Sequence, residues 1–131
     1  MPSKLFNGEN TLTTSLYERL GGTDGIKSIA NDLVDNHYAN PVIGTRFAAV
    51  DRDKVKNGAA TFFITGSGGP SDAYKGKDML SVHANMNINN NEIVAALDDA
   101  MAALDKNGIG QREKEEVLFI LYSLSKEFVG K

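Results

Sequence analysis

The chain holds few side chains able to do chemistry of their own. It has two histidines, His37 and His83, and no cysteine. His83 sits in Met79-Leu80-Ser81-Val82-His83-Ala84-Asn85-Met86, a stretch with no carboxylate and apolar enough for a short helix. It follows the break Gly68-Gly69-Pro70. A neutral imidazole in this setting suits an axial ligand to an iron porphyrin: its nitrogen binds iron, and an apolar surround accepts a flat macrocycle. The same residues also suit a core histidine bonded to a backbone carbonyl, and both readings stay open at this point. Without cysteine, disulfides, thiolate catalysis, iron–sulfur clusters and cysteine zinc sites are excluded. Two histidines make an all-protein transition-metal cage improbable, and no calcium-loop pattern occurs.

The elements that must position His83 read as helices. Ile26, Ile29, Ala30, Leu33, Val34 and His37 or Tyr38 share one helical face. Thr23 or Asp24 is expected to cap that helix, and Pro41 ends it. A second helix carries Val55, Ala59, Phe62 and Phe63, capped by Asp51 or Asp53, and stops at Gly66-Ser67-Gly68-Gly69-Pro70. A short helix is expected over Asp78 to Met86. Ile93, Leu97, Ala100, Met101 and Leu104 mark the next, with Asn89 and Glu92 at capping-box spacing and Gly108 as its stop. Val117, Ile120, Leu121, Leu124 and Phe128 mark the last. Ser15 to Leu20 reads as one short turn of helix closed by Gly21-Gly22. No alternating strand pattern appears, so the fold class is all-α. Ser67 to Lys77 is long for a helix–helix connection and can hold the His83 segment away from its neighbours, leaving a pocket beneath it.

A chain of 131 residues is one domain by length and can bury a core without staples. Its 41% hydrophobic and 24% charged content is ordinary for a globular protein. The formal net charge is −3, with no block of like charge, so neither nucleic acid nor an anionic membrane is the expected partner. Residues 1–14 read as a flexible polar extension and 15–131 as the domain. The first residues lack the apolar run of a signal peptide, and no stretch is long enough to span a bilayer. A cytoplasmic monomer is the expectation.

Several short motifs together resemble the truncated haemoglobins, and within them the first group. They are Leu16-Tyr17-Glu18-Arg19-Leu20-Gly21-Gly22, then Phe62-Phe63 followed by Gly68-Gly69-Pro70, then Tyr74-Lys75-Gly76 with Met79 and His83. Ile88 and the two closing helices continue the match, which covers about residues 15–128. The resemblance implies a two-over-two helical sandwich around one haem b. It makes His83 the proximal iron ligand and Phe47 the ring that packs on the porphyrin near the distal side. It places Met79 and Met86 beside the haem or in the adjacent core, and Phe62 and Phe63 at the end of the distal helix. Lys77 matches a basic residue near a propionate, with Lys56, Tyr74 and Arg46 as alternatives. The glycine pairs supply the backbone angles that close a shortened helix set.

The departures from the family pattern concern the distal side. The usual tyrosine is Val34 here, the usual polar residues of the distal helix are Val55 and Ala59, and the histidine of six-coordinate relatives is Gly58. The resemblance therefore implies five-coordinate iron facing an apolar wall. His37 and Tyr38, about one turn beyond Val34, are the two side chains that can supply a donor instead. The implied function is reversible binding of dioxygen, carbon monoxide or nitric oxide, in oxygen handling or transport or in detoxification of nitric oxide and reactive species. Nitric oxide dioxygenation would need an external reductase. Peroxidase activity is not expected, because no distal acid–base residue is evident. The competing reading is a haem-free helical interaction module in which His83 is structural.

Overall fold

In the computed structural model, which describes residues 14–70 and 88–126, every regular element among the described residues is a helix. Helix α1 (Leu16–Arg19) is a single turn held by a capping box. Ser15 accepts from the Glu18 amide, and the Glu18 carboxylate accepts from the Ser15 amide. Helix α2 (Gly22–Ala39) buries Ile26, Ile29, Ala30, Leu33 and Val34, the apolar face read from the sequence. A 3-10 turn, Gly44–Phe47, follows. Helix α3 (Arg52–Gly66) starts at Asp51, whose side chain accepts from the Asp53 amide. Helix α4 (Asn90–Lys106) has the expected Asn89–Glu92 capping box, and helix α5 (Gln111–Ser125) closes the described chain. The short helix expected over Asp78 to Met86 lies outside the described residues, as does Phe128. No described helix is long and apolar enough to cross a membrane.

The start of α2 differs from the expectation. Neither Thr23 nor Asp24 caps it; Gly21 stands at the cap with φ +99°, followed by Gly22 at +69°. The Thr23 hydroxyl instead shares a 2.5 Å hydrogen bond with the Tyr17 hydroxyl. Tyr17 also ties α1 to the far end of α3, its amide donating to the Ser67 carbonyl at 2.8 Å. A side chain at Gly69 would meet the Tyr17 ring at 2.6 Å and Ile64 at 2.8 Å, so the turn after α3 needs glycine there for closeness of approach.

The helices form two pairs, α2 with α3 and α4 with α5, and α2 also packs on α4 to join the pairs. This is the two-over-two arrangement. The core between them draws Leu16, Leu20, Ile26, Leu33, Ile64 and Leu104 from four different helices or their flanks, with Ala100 and Ala103 letting α4 come close. On α5 only Val117 of the predicted apolar row is fully buried; Ile120, Leu121 and Leu124 are half-buried.

A polar seam runs beside this core. Ser28, Asp32, Asn36 and Asn40 stand four apart on α2, and Asn107, Ala103, Asp99 and Ala95 stand four apart in the opposite direction along α4. Ser28 Oγ meets Asn107 Oδ1 at 2.6 Å, and Asn107 Nδ2 donates to Asp32 at 2.9 Å and to the Ala103 carbonyl at 2.8 Å. Asn36 Nδ2 donates to the Asp99 carbonyl and Asn40 Nδ2 to both Asp99 carboxylate oxygens, each at 3.1 Å.

At the opposite side, Arg19 reaches from α1 to Glu113 at 2.8 Å and Glu116 at 2.5 Å on α5. The hydrogen bonds from Arg19 hold the Glu116 carboxyl below its ordinary range. The Arg19 side chain is 14% exposed and that of Glu116 36%, so the pair is worth less than a fully buried one. Replacing Arg19 with Met is expected to lower stability by about 1–2 kcal/mol at neutral pH, read from urea unfolding. A depressed folded-state carboxyl contributes fully above the ordinary carboxylate range and loses its contribution as pH falls through the folded value. The gap between native and variant chains should therefore close on acidification; a constant gap would mean that Arg19 acts by packing alone.

Candidate functional site

Helix α3 presents two faces of different character. Ala60 and Ile64 are buried in the core, whereas Val55, Ala59, Phe62 and Phe63 are only half-buried although the sequence pattern is equally apolar there. Val34 of α2, the helix packed along α3, is buried at 1% exposure. A side chain at Gly58 would meet nothing within 4 Å. Helix α3 thus has an apolar face that is only partly covered.

Phe62 and Phe63 meet edge to face, with ring centroids 5.7 Å apart. Together with Val117, Phe119 and Ile120 they wall a cavity of about 450 Å³. Its one buried hydroxyl, Ser67, is turned back on its own helix, donating to the Phe63 carbonyl at 2.5 Å. Phe119 is 73% exposed beside this cavity, an unusual state for a large apolar side chain. Val34, Val55, Ala59 and Phe47 stand on the α2–α3 side and are not among its walls.

The polar side chains around the distal position are engaged with protein partners. His37 Nδ1 lies 2.7 Å from Asp99 Oδ2, and the Tyr38 hydroxyl donates to the Val50 carbonyl at 3.0 Å. Lys56 is 2.9 Å and Arg52 3.3 Å from Asp35, and Lys56 holds the Asp35 carboxyl below its usual range. Arg46 is held by Glu92, which it keeps acidic. Phe47 is half-buried against the rings of His37 and Tyr38. Of the remaining residues predicted for the site, His83, Lys77, Met79, Tyr74 and Met86 lie outside the described residues. Among the described residues no cluster of histidine and carboxylate side chains can hold a metal ion. The half-buried face of α3 made by Val55, Ala59, Phe62 and Phe63 is aliphatic and aromatic, a chemistry that fits a flat apolar group such as a porphyrin.

Sequence reasoning missed the Asp99 cluster. Its signal was present in the polar residues at intervals of four on α2, whose partners appear only when α4 is laid against them.

Comparison with known proteins agrees with this architecture. The sequence profile of the bacterial-like globins matches residues 15–129. A group 1 truncated hemoglobin from Tetrahymena pyriformis is 26% identical over 117 residues, spanning 89% of this chain and 96% of that protein. The crystal structure of truncated hemoglobin from Tetrahymena pyriformis in its Fe(III) form superposes with a TM-score of 0.85 at 26% identity, covering 90% of this chain and 100% of that one. The 2/2 hemoglobin of Synechococcus sp. PCC 7002, in the cyanomet state with covalently attached heme, superposes at 0.77 with 23% identity over 86% of this chain and 94% of that one, a likeness of fold.

The partner of the Tyr38 hydroxyl is directly testable. Tyr38→Phe keeps the ring stack on Phe47 and removes the bond to Val50, which is solvent-exposed. Stability should fall by about 0.5–1 kcal/mol in denaturant titration, with near-ultraviolet circular dichroism little changed. An unaltered midpoint would show that the hydroxyl has no such partner.

Proposed function

From the premise that this chain belongs to the bacterial-like globin family, whose members bind haem, we propose that it reversibly binds small diatomic ligands at five-coordinate haem iron. His83 is the axial ligand in this reading. The ligand side is bounded by Val34, Val55, Ala59 and Phe47. When bound, haem supplies an iron atom with one open face at which dioxygen, carbon monoxide or nitric oxide can bond.

The observation that carries the reading is the commitment of the neighbouring polar groups. His37 is spent on Asp99, Tyr38 on Val50, and Lys56 and Arg52 on Asp35, so the apolar wall gains no donor from them. The Tetrahymena protein supports the placement. It has been crystallised with a tyrosine replaced by phenylalanine and with either of two glutamines replaced by glutamate, and those positions are spaced by 21 and then 4 residues. Val34, Val55 and Ala59 have the same spacing. In this reading three hydrogen-bonding side chains of that protein have aliphatic counterparts here, and the equal spacing supports it.

The consequence is a selectivity among gases. Dioxygen develops partial negative charge on iron and gains from a donor; without one it loses about 1–3 kcal/mol, or roughly one to two powers of ten in affinity. Carbon monoxide and nitric oxide polarise less and lose less. Nitric oxide dioxygenation would need dioxygen to stay long enough and a separate reductase to supply electrons, so reversible binding is the function this wall favours.

The purified chain should take up hemin in a one-to-one ratio with a strong Soret band, and its ferrous form should be five-coordinate. His83→Ala should abolish or grossly alter that spectrum. Absence of any hemin uptake would leave the haem-free helical module as the surviving reading. In the loaded protein, Val34→Tyr should slow dioxygen release by about ten- to a hundredfold while changing carbon monoxide release much less. Slow release in the native chain would overturn the apolar wall.

A further inference from the structure

A continuous stack of rings and charges crosses the molecule from α3 to α4. The Arg52 guanidinium lies 4.2 Å from the centre of the Tyr38 ring. Tyr38 packs on Phe47 with centroids 5.1 Å apart and planes tilted by 30°. Phe47 is stacked on His37 at 5.8 Å with planes within 9°. His37 ends on Asp99. Phe47 therefore has two aromatic neighbours, and each is bonded to a further partner.

The Asp99 end is the more firmly built. Asn40 donates to both of its carboxylate oxygens and Asn36 to its backbone carbonyl, so Asp99 has donors from three residues of α2. The His37 and Asp99 side chains are 16% and 12% exposed, which shields the contact from competing water. An imidazole gripped at Nδ1 cannot turn about its χ2 without breaking that bond. Its plane is fixed, and a ring lying within 9° of it shares that constraint.

We propose that His37 and Asp99 are positioning residues that set the plane and depth of Phe47, the ring which, on the globin reading, lies against the porphyrin. They act on the cofactor through Phe47 and touch neither iron nor ligand. The rest of the α2–α4 seam serves only to hold the helices together.

The test compares the full chain with Asp99→Ala, Asp99→Asn and Asp32→Ala, each with and without hemin. Asp32 belongs to the same seam but is bonded to Asn107 and Lys106, not to His37 or Asp99. Aromatic carbon NMR reads the Phe47 ring, and infrared spectroscopy reads the C–O stretch of the carbonyl complex. Asp99→Ala should shift the Phe47 signals, speed its ring flips and move or broaden the C–O band. Asp99→Asn, which keeps an acceptor for Nδ1–H, should restore both. Asp32→Ala should lower the melting temperature and leave both unchanged. The proposal is overturned if Asp99→Ala leaves the Phe47 signals in place, or if Asp32→Ala moves them equally. If Asp99→Ala does not fold, His37→Phe, which keeps a ring and loses the grip, is read in the same way. Should no variant nor the native chain bind hemin, the globin reading fails, and the Phe47 signals of the haem-free chain still decide the positioning role.

Discussion

The contact between α2 and α4 is the constraint on which the other elements depend. Their apolar faces supply most of the attraction, but apolar packing alone tolerates some sliding of one helix along the other. The polar seam does not. Its donors and acceptors recur every four residues on both helices, and a slip of one turn would strand the carboxylates of Asp32 and Asp99 opposite the wrong partners. The seam therefore fixes how far α2 is displaced along α4. That displacement carries the Gly44–Phe47 turn and, through α2, the whole of α3.

Scaffold and site are built from the same residues. Helix α2 gives its inner face to the core, its polar row to α4 and, on the globin reading proposed above, Val34 to the ligand side. The polar side chains of His37, Tyr38 and Lys56 are engaged in holding the scaffold, so on that reading the apolar character of the ligand side has two sources. One is the aliphatic wall itself. The other is the diversion of Tyr38, His37 and Lys56 into structural contacts. Adding a donor by rotating one of these side chains would first have to break a contact that supports Phe47 or the α2–α3 pair.

Much of the fold was legible where one local rule decides. The buried face of α2 follows from its period, and the caps at Asp51 and Asn89 follow from the chemistry of short polar side chains. The start of α2 was not legible, because the Thr23 hydroxyl is claimed by Tyr17 six residues earlier and a glycine takes the cap. The apolar row on α5 is plain in the sequence, yet Ile120 and Leu124 remain half-open beside a cavity; periodicity shows which face is apolar and not what covers it. For the site, the positions of Val34, Val55 and Ala59 came from family resemblance, and their aliphatic character came from the sequence itself. The commitments of His37 and Tyr38 needed tertiary partners 62 and 12 residues away, which no local pattern reveals.

Gly58 has a bearing on how α3 behaves in time. It lies in the interior of the helix, one residue before Ala59, with open space where a side chain would be. Glycine there costs about 1 kcal/mol of helix propensity against alanine, and no packed side chain offsets it. The middle turn of α3 is thus its softest, while the turn at Ile64 is pinned by the core. Fraying of the backbone is therefore least costly in the turn that carries Val55 and Ala59, so any small molecule moving along that face meets the part of α3 that yields most easily.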